Sequence, residues 1–298
     1  MLYSLPMPGS GPFRIGELSR RSGVSPELLR AWERRYGLLS PTRSKGGLRL
    51  YSSDDLERVR AMQRFLAEGM AAAEAATLVG GAAPLLDDPL LDPATAIAEL
   101  RAALDEFEEP AAQAILDRLF AIATVDLVLA EIVVPFLHEL GDRWERGEAS
   151  VAQEHFAANV LRGRMLGLAR GWGLGVGPVA LVACLAGEQH DLGALAFALA
   201  LRSRGWRISY FGADTPLETI KHAADLLKPH LVVVTAVTED RVRPVARELE
   251  ALAGDFRVAL GGAAAHTARF DADVLRLGGD PVAEAERVSA LMREQIVR

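Results

Sequence analysis

PVALVACLAGEQHDLGALAFALALRSRG, Pro178 to Gly205, is where the period of the chain changes and where its fold is decided. A short run rich in Val, Leu and Ala ends in a polar turn, GEQHDLG (Gly187 to Gly193), and a longer apolar run follows. That order reads as strand, loop and helix. His190 stands at the tip of the turn with Glu188 and Asp191 beside it. Three readings are open: a metal ligand, a catalytic base, or neither.

The alternation continues beyond the turn. Apolar runs VALVACL, WRISYFG, PHLVVVTAV and FRVALGG alternate with helical patterns at Leu192–Arg204, Leu217–Leu227 and Val242–Ala253. Such alternation marks βαβ units on a parallel, Rossmann-like sheet. Ligands of these sheets lie at the carboxyl ends of the strands. The unusual residues stand there: GEQHDLG, GADTP with Asp214, TAV (Thr235 to Val237) and the pair Gly261–Gly262. Cys184 falls inside a strand pattern and reads as core.

Upstream, Val79 to Ala96 is rich in Gly, Pro and Asp and reads as a linker. Four helical patterns follow it, at Thr95–Phe107, Pro110–Ile122, Val125–Arg146 and Ser150–Trp172. Short loops such as RGEAS imply antiparallel neighbours, hence a four-helix bundle. Trp144 ends the third pattern, and Glu154 and His155 open the fourth, giving W-x9-EH. Trp144 and His155 are thereby placed at one end of the bundle. By itself such a set is more often an apolar-stripe tryptophan beside a solvated Glu-His pair.

The N-terminal part has a different composition. Of the whole chain's formal charge of −7, residues 14–66 carry +6, from 12 Arg and Lys against 6 Asp and Glu. A basic head on an acidic body is the asymmetry expected when one module meets phosphate. The head reads as two short helices, a wing and a longer helix. Ser25 caps the second helix with Pro26 at its first position. Leu28 and Trp32 face inward, leaving Arg30, Arg34 and Arg35 on the outer side for DNA. In the wing, SPTRSKGGLRLY, Arg43, Lys45, Arg49 and Tyr51 are expected to contact phosphate. Ser52 and Asp55 form a capping box for the helix that follows.

A chain of 298 residues, half of them hydrophobic, has room for two or three domains. No apolar run approaches the roughly 18–20 residues that span a bilayer, and MLYSLPMPGSGPF lacks the pattern of a signal peptide. One cysteine excludes an internal disulfide and fits a reducing cytoplasm. A zinc or iron site needs three or four ligands, and no Cys or second His joins His190 at suitable spacing. There is no G-x-S-x-G, and the turn after the first strand is not G-x-G-x-x-G. A single ligand to a metal already held by a macrocycle remains.

Two resemblances follow. IGELSRRSGVSPELLRAWERRYGLLSPTRSKGGLRLYS resembles the winged helix-turn-helix of MerR-type regulators, with LRxWERRYG and GGxRLYS as markers. Leu48 stands where many relatives have histidine. E-x-H-x-x-G, 41 residues, T-A-V, 23 residues and GG resemble the cobalamin-binding domain, whose usual pattern is D-x-H-x-x-G, S-x-L and GG. The departures are Glu188, Thr235 and Val237, with a second spacer slightly short. This resemblance implies that His190 is the lower axial ligand of cobalt, its ring oriented by Glu188 or Asp191. Gly193, Asp214, Thr235, Val237, Gly261 and Gly262 would then line the cofactor site.

The order of parts is similar to the CarH/LitR-type light-responsive repressors, which use adenosylcobalamin. That resemblance implies Trp144 over the adenosyl group, Glu154 beside it, and His155 as upper cobalt ligand after photolysis. It implies a dark tetramer on promoter DNA; an antirepressor protein enters as a partner in the light-independent alternative. The expected division is a head at 12–80, a linker at 81–94, a bundle at 95–175 and a cobalamin domain at 176–298. The rivals are a regulator of the same build that ignores light, and a cobalamin-dependent enzyme module. The second would need a catalytic barrel that no stretch of the chain forms. His138, His222, His230 and His266 read as ordinary structural or surface residues.

Overall fold

The computed structural model describes residues 13–44, 47–67, 75–76, 78–80, 92–169, 171–174 and 176–296. Lys45, Gly46 and most of the expected linker lie outside them. The chain divides into two compact units, residues 1–92 with 114–124 and residues 93–113 with 125–298.

In the first unit, helix α1 (Ile15–Ser22) ends at Gly23, whose φ of +74° is left-handed. Helix α2 (Pro26–Tyr36) starts from Ser25, whose hydroxyl accepts the Leu28 N–H at 3.2 Å. Strands β1 (Thr42–Arg43) and β2 (Arg49–Leu50) pair antiparallel as the wing. Helix α3 (Ser53–Ala67) opens on the expected box: Ser52 Oγ accepts the Asp55 N–H at 3.1 Å and Asp55 Oδ2 accepts the Ser52 N–H at 2.9 Å. Asp55 is buried, and its other oxygen accepts the Ser40 N–H at 3.0 Å, tying the start of the wing to α3. Leu18, Leu29, Trp32, Tyr36, Tyr51, Val59 and Met62 form the core, while Leu28 is only partly buried against it.

The second unit begins with helix α4 (Pro93–Asp105), inside the stretch expected to be linker. Helix α5 (Glu109–Ile122) follows, of which only the residues up to 113 belong to this unit. The third helix is interrupted: α6 (Val125–Val128), a π-helical turn (Leu129–Val133), then α7 (Val134–Glu145). Helix α8 (Val151–Gly167) has a capping box of Ser150 and Gln153 and stops short of the expected Trp172. α4 packs on the π-turn and α8, and α7 packs on α8. Arg143 and Asp105 pair at 2.8 Å, and Phe107 meets Phe156 edge-on with ring centres 5.3 Å apart.

The sheet contains β3 (Val179–Leu185), β4 (Arg207–Thr215), β5 (Leu231–Thr235), β6 (Val258–Gly261) and β7 (Val274–Leu277). They are parallel, in the order β4-β3-β5-β6-β7. The chain leaves β3 to one side and returns to its other side as β5, so the switch point lies between β3 and β5. Helices α9 (Leu192–Ser203) and α10 (Leu217–Leu227) stand where the pattern put them. The helix expected at Val242–Ala253 arrives as α11 (Glu239–Val242), a 3-10 turn at Arg243–Val245 and α12 (Ala246–Asp255), broken around Pro244. Then come α13 (Ala264–Thr267) and α14 (Pro281–Ile296); β7 and α14 were not anticipated.

α9 explains how bundle and sheet join. Nine of its twelve residues are buried. A helix apolar all round must be covered all round. α9 is covered by β3 and β4, by α14, and by α6 and α8. The bundle is thereby held over the carboxyl ends of the strands. No described helix is long and apolar enough to cross a membrane.

Candidate functional site

The turn after β3 is braced from both neighbouring strands. Gly187, at φ +77°, donates its N–H to Asp214 Oδ1 at 2.6 Å, and the Asp214 N–H returns to the Glu188 carbonyl at 2.9 Å. Asp214 itself sits at φ +51°. It acts on the loop backbone.

Glu188 is buried, and three groups meet its carboxylate. Oε1 accepts the His190 N–H at 2.9 Å and lies 2.6 Å from His190 Nδ1; Oε2 accepts the Val237 N–H at 2.8 Å. Burial pushes this carboxyl's pKa up, but the hydrogen bonds from Val237 and His190 outweigh burial and the net shift is downward. An ionised carboxylate only accepts, so it holds the imidazole proton on Nδ1. Nε2, on a side chain that is 76% exposed, is the nitrogen left for a ligand. That is the form of imidazole that binds a metal, with a carboxylate behind it.

Asp191 does something else. Its Oδ1 takes Arg162 Nε and Nη2, both at 2.8 Å, and its Oδ2 takes the Tyr210 hydroxyl at 3.1 Å. Of the two candidate orienters, Glu188 holds the ring and Asp191 holds α8. Burial and the Asp191 charge push the Tyr210 pKa far up, so it stays a donor.

His190 faces a cavity of about 1130 Å³. One wall is α7 and α8, with Trp144, Val151, Glu154, His155 and Arg162. The other is the ends of the strands, with Gly193, Thr235, Val237, Gly261 and Gly262. Trp144 is half exposed and His155 Nε2 is 3.5 Å from Glu154 Oε2. His138 and His266, expected to be ordinary structural or surface residues, also line this space, as do Gly141 and Arg162. His138 and Gly141 share the α7 ridge with Trp144, a periodicity that could have found them.

The glycine pair has a reason within the chain. Gly262 has φ +82°, and a Cβ there would stand 2.4 Å from the Ala236 carbonyl oxygen; one at Gly261 would stand 3.1 Å from Thr235 Cγ2. Expected only to clear a channel, Gly262 is already required by its left-handed backbone and the Ala236 carbonyl, and Gly261 is tight against β5. Gly193 is different, because a Cβ there meets nothing within 4 Å.

Three observations fit a corrinoid. The donor set is one oriented imidazole, and among the described residues no group of three or more His, Cys, Asp or Glu could hold a metal ion unaided. The cavity spans the switch point. The buried Thr235 hydroxyl in its wall has no partner beyond the weak Cys184 thiol on the neighbouring strand.

In the head, Arg30 and Arg34 are exposed on α2, and Arg43 and Arg49 stand opposite each other in the wing. Arg49 pairs with Glu33 at 3.0 Å. Tyr51 corrects the expectation of an outward phosphate contact: it is fully buried, and its hydroxyl donates to Glu33 Oε2 at 2.7 Å. Burial and that carboxylate raise its pKa well above the usual phenol range. Lys45 and the Arg35 side chain lie outside the described residues.

Fold and family models together define a MerR-type regulator with a B12-binding domain. The chain matches the MerR HTH family regulatory protein model over residues 13–81, and B12 binding domain models over 96–166 and 178–291. It is 33% identical over 269 residues to the HTH-type transcriptional repressor CarH of Myxococcus xanthus, covering 86% of this chain and 90% of that one. It is 30% identical over 257 residues to the repressor CarA of the same organism, covering 84% and 86%. A monomethylamine corrinoid protein of Methanosarcina barkeri shares the fold, with a TM-score of 0.55 and 17% identity over 67% of this chain and all of that one. The chain belongs to the CarH-type transcriptional regulators, MerR-family proteins with a B12-binding domain.

Proposed function

We propose that this protein is a light-responsive transcriptional repressor that takes adenosylcobalamin as its chromophore. One observation carries the reading: His190, its proton fixed by buried Glu188, opens on the same cavity as Trp144 and His155. His190 Nε2 would hold the cobalt from below. Trp144 and Glu154 would cover the opposite face, with Thr235, Val237 and the Gly261–Gly262 turn along the strand ends. Bound adenosylcobalamin supplies a cobalt–carbon bond that light breaks. His155, on the cavity wall opposite His190, would supply a second imidazole once the adenosyl group has left.

The expected division into head, linker, bundle and cobalamin domain stands as part of this proposal. So does a dark tetramer, which presents several heads to repeated half-sites. Linked heads bind far more tightly than one, so loss of assembly releases DNA. Arg30, Arg34, Arg35, Arg43, Lys45 and Arg49 are the proposed DNA contacts.

Size-exclusion chromatography of protein loaded with adenosylcobalamin in darkness, repeated after green light, tests this. The expected result is an oligomer that collapses on illumination to a species with two imidazoles on cobalt. An oligomer that binds cobalamin but ignores light would assign the response to ligand level or to an antirepressor protein.

A further inference from the structure

Asp191 is next to His190 in sequence, yet its carboxylate is engaged by protein groups and leaves the ring to Glu188. It is 5% exposed, with Oδ1 on Arg162 Nε and Nη2 and Oδ2 on the Tyr210 hydroxyl. Arg162 gives its remaining terminal nitrogen, Nη1, to Asn159 Oδ1 at 2.8 Å. The guanidinium is thus fixed in its plane on both sides, which a lysine at this position could not reproduce.

Arg162 lies seven residues after His155 on α8. Seven residues are close to two turns, so the two share a face. His155, Ala158, Asn159 and Arg162 all line the cavity. One region of that face offers an imidazole to the cavity. Two turns on, the same face is pinned to the residue beside His190.

We infer that Arg162 and Asp191 are a positioning pair: they set where the His190 loop stands against α8, and they transmit any shift of α8 to that loop. The inference rests on the reading of the cavity as a cobalamin site. Its energetic signature is asymmetric. Removing Arg162 alone strands a buried carboxylate, whereas replacing both partners by apolar groups removes that penalty.

The test uses the full chain with Arg162→Met, Arg162→Lys, Asp191→Leu and the Arg162→Met/Asp191→Leu double variant. Aquocobalamin binding is followed by absorbance, and amide hydrogen exchange is followed without cofactor. Each single apolar substitution should lower cobalamin affinity about tenfold or more, with the double variant recovering part of the loss and Lys intermediate. Amides of residues 186–191 should exchange faster in Arg162→Met while those of β3 stay protected. Wild-type affinity and unchanged loop exchange in the single variants would overturn the pair's role. So would a loss matched by faster exchange through the whole sheet, which marks a merely structural contact. If wild type itself binds no cobalamin, the cobalamin reading fails, and the loop exchange still decides whether Arg162 positions His190.

Discussion

Glu188 Oε1 lies 2.6 Å from His190 Nδ1 while its Oε2 holds the Val237 N–H at 2.8 Å, so one buried carboxylate both orients the imidazole and joins the β3 turn to the β5 turn. The ring's free nitrogen is fixed before any ligand arrives. Glu188→Gln keeps the shape and removes the charge. Cobalamin affinity, read by absorbance titration, should fall by about 10–100-fold, and Glu188→Asp should fall less.

The same carboxylate sets a pH dependence. Its folded pKa lies below its ordinary value of 4.5, so the stability it contributes is complete above that value and disappears as pH falls through the lower folded one. Urea unfolding of wild type and Glu188→Gln without cofactor should differ at neutral pH and converge in acid. A constant difference down to the acid limit would count against the carboxylate's role.

The glycines separate stability from binding. Gly262→Ala forces a Cβ to 2.4 Å from a carbonyl oxygen at φ +82°, and should cost about 1–3 kcal/mol of stability. Gly193→Val meets no protein atom within 4 Å of its Cβ. It should leave the unfolding midpoint nearly unchanged while weakening cobalamin binding.

Gly141 probes the opposite wall. It lies on the cavity ridge of α7 between His138 and Trp144, and a Cβ there meets nothing within 4 Å. Gly141→Leu should raise helix stability slightly, by about 1 kcal/mol. Titrations with adenosylcobalamin and aquocobalamin should show the larger upper ligand losing more affinity. Equal losses would place the upper group elsewhere.

In the head, Arg43 and Tyr51 should part company. Tyr51→Phe removes the bond to Glu33 and should cost about 1 kcal/mol of stability, leaving the salt dependence of DNA binding as it was. Arg43→Ala should instead lower the slope of log affinity against log salt by about one.

The parallel sheet was legible because its strands are continuous apolar runs and α9 is too apolar to be a surface helix. β7 was not: it has four residues, one of them Arg276. The π-turn at Leu129–Val133 inserts one residue into the helix, and in so apolar a run a step of five is hard to tell from one of four. At the site, the turn and its histidine could be read, but the roles of the flanking acids could not. Glu188 is answered by Val237 once β3 and β5 have paired, and Asp191 by Arg162 only once the bundle and the sheet have come together. Tyr51 was expected to meet phosphate from the wing; it is buried, and its hydroxyl meets Glu33 of α2 instead.

The most direct test is the affinity of adenosylcobalamin-loaded protein for promoter DNA selected from a random pool, measured in darkness and again after green light. The account predicts tight dark binding that light abolishes, with His190→Ala failing to gain the dark affinity at all. Equal affinity before and after illumination, with cobalamin bound throughout, would contradict it.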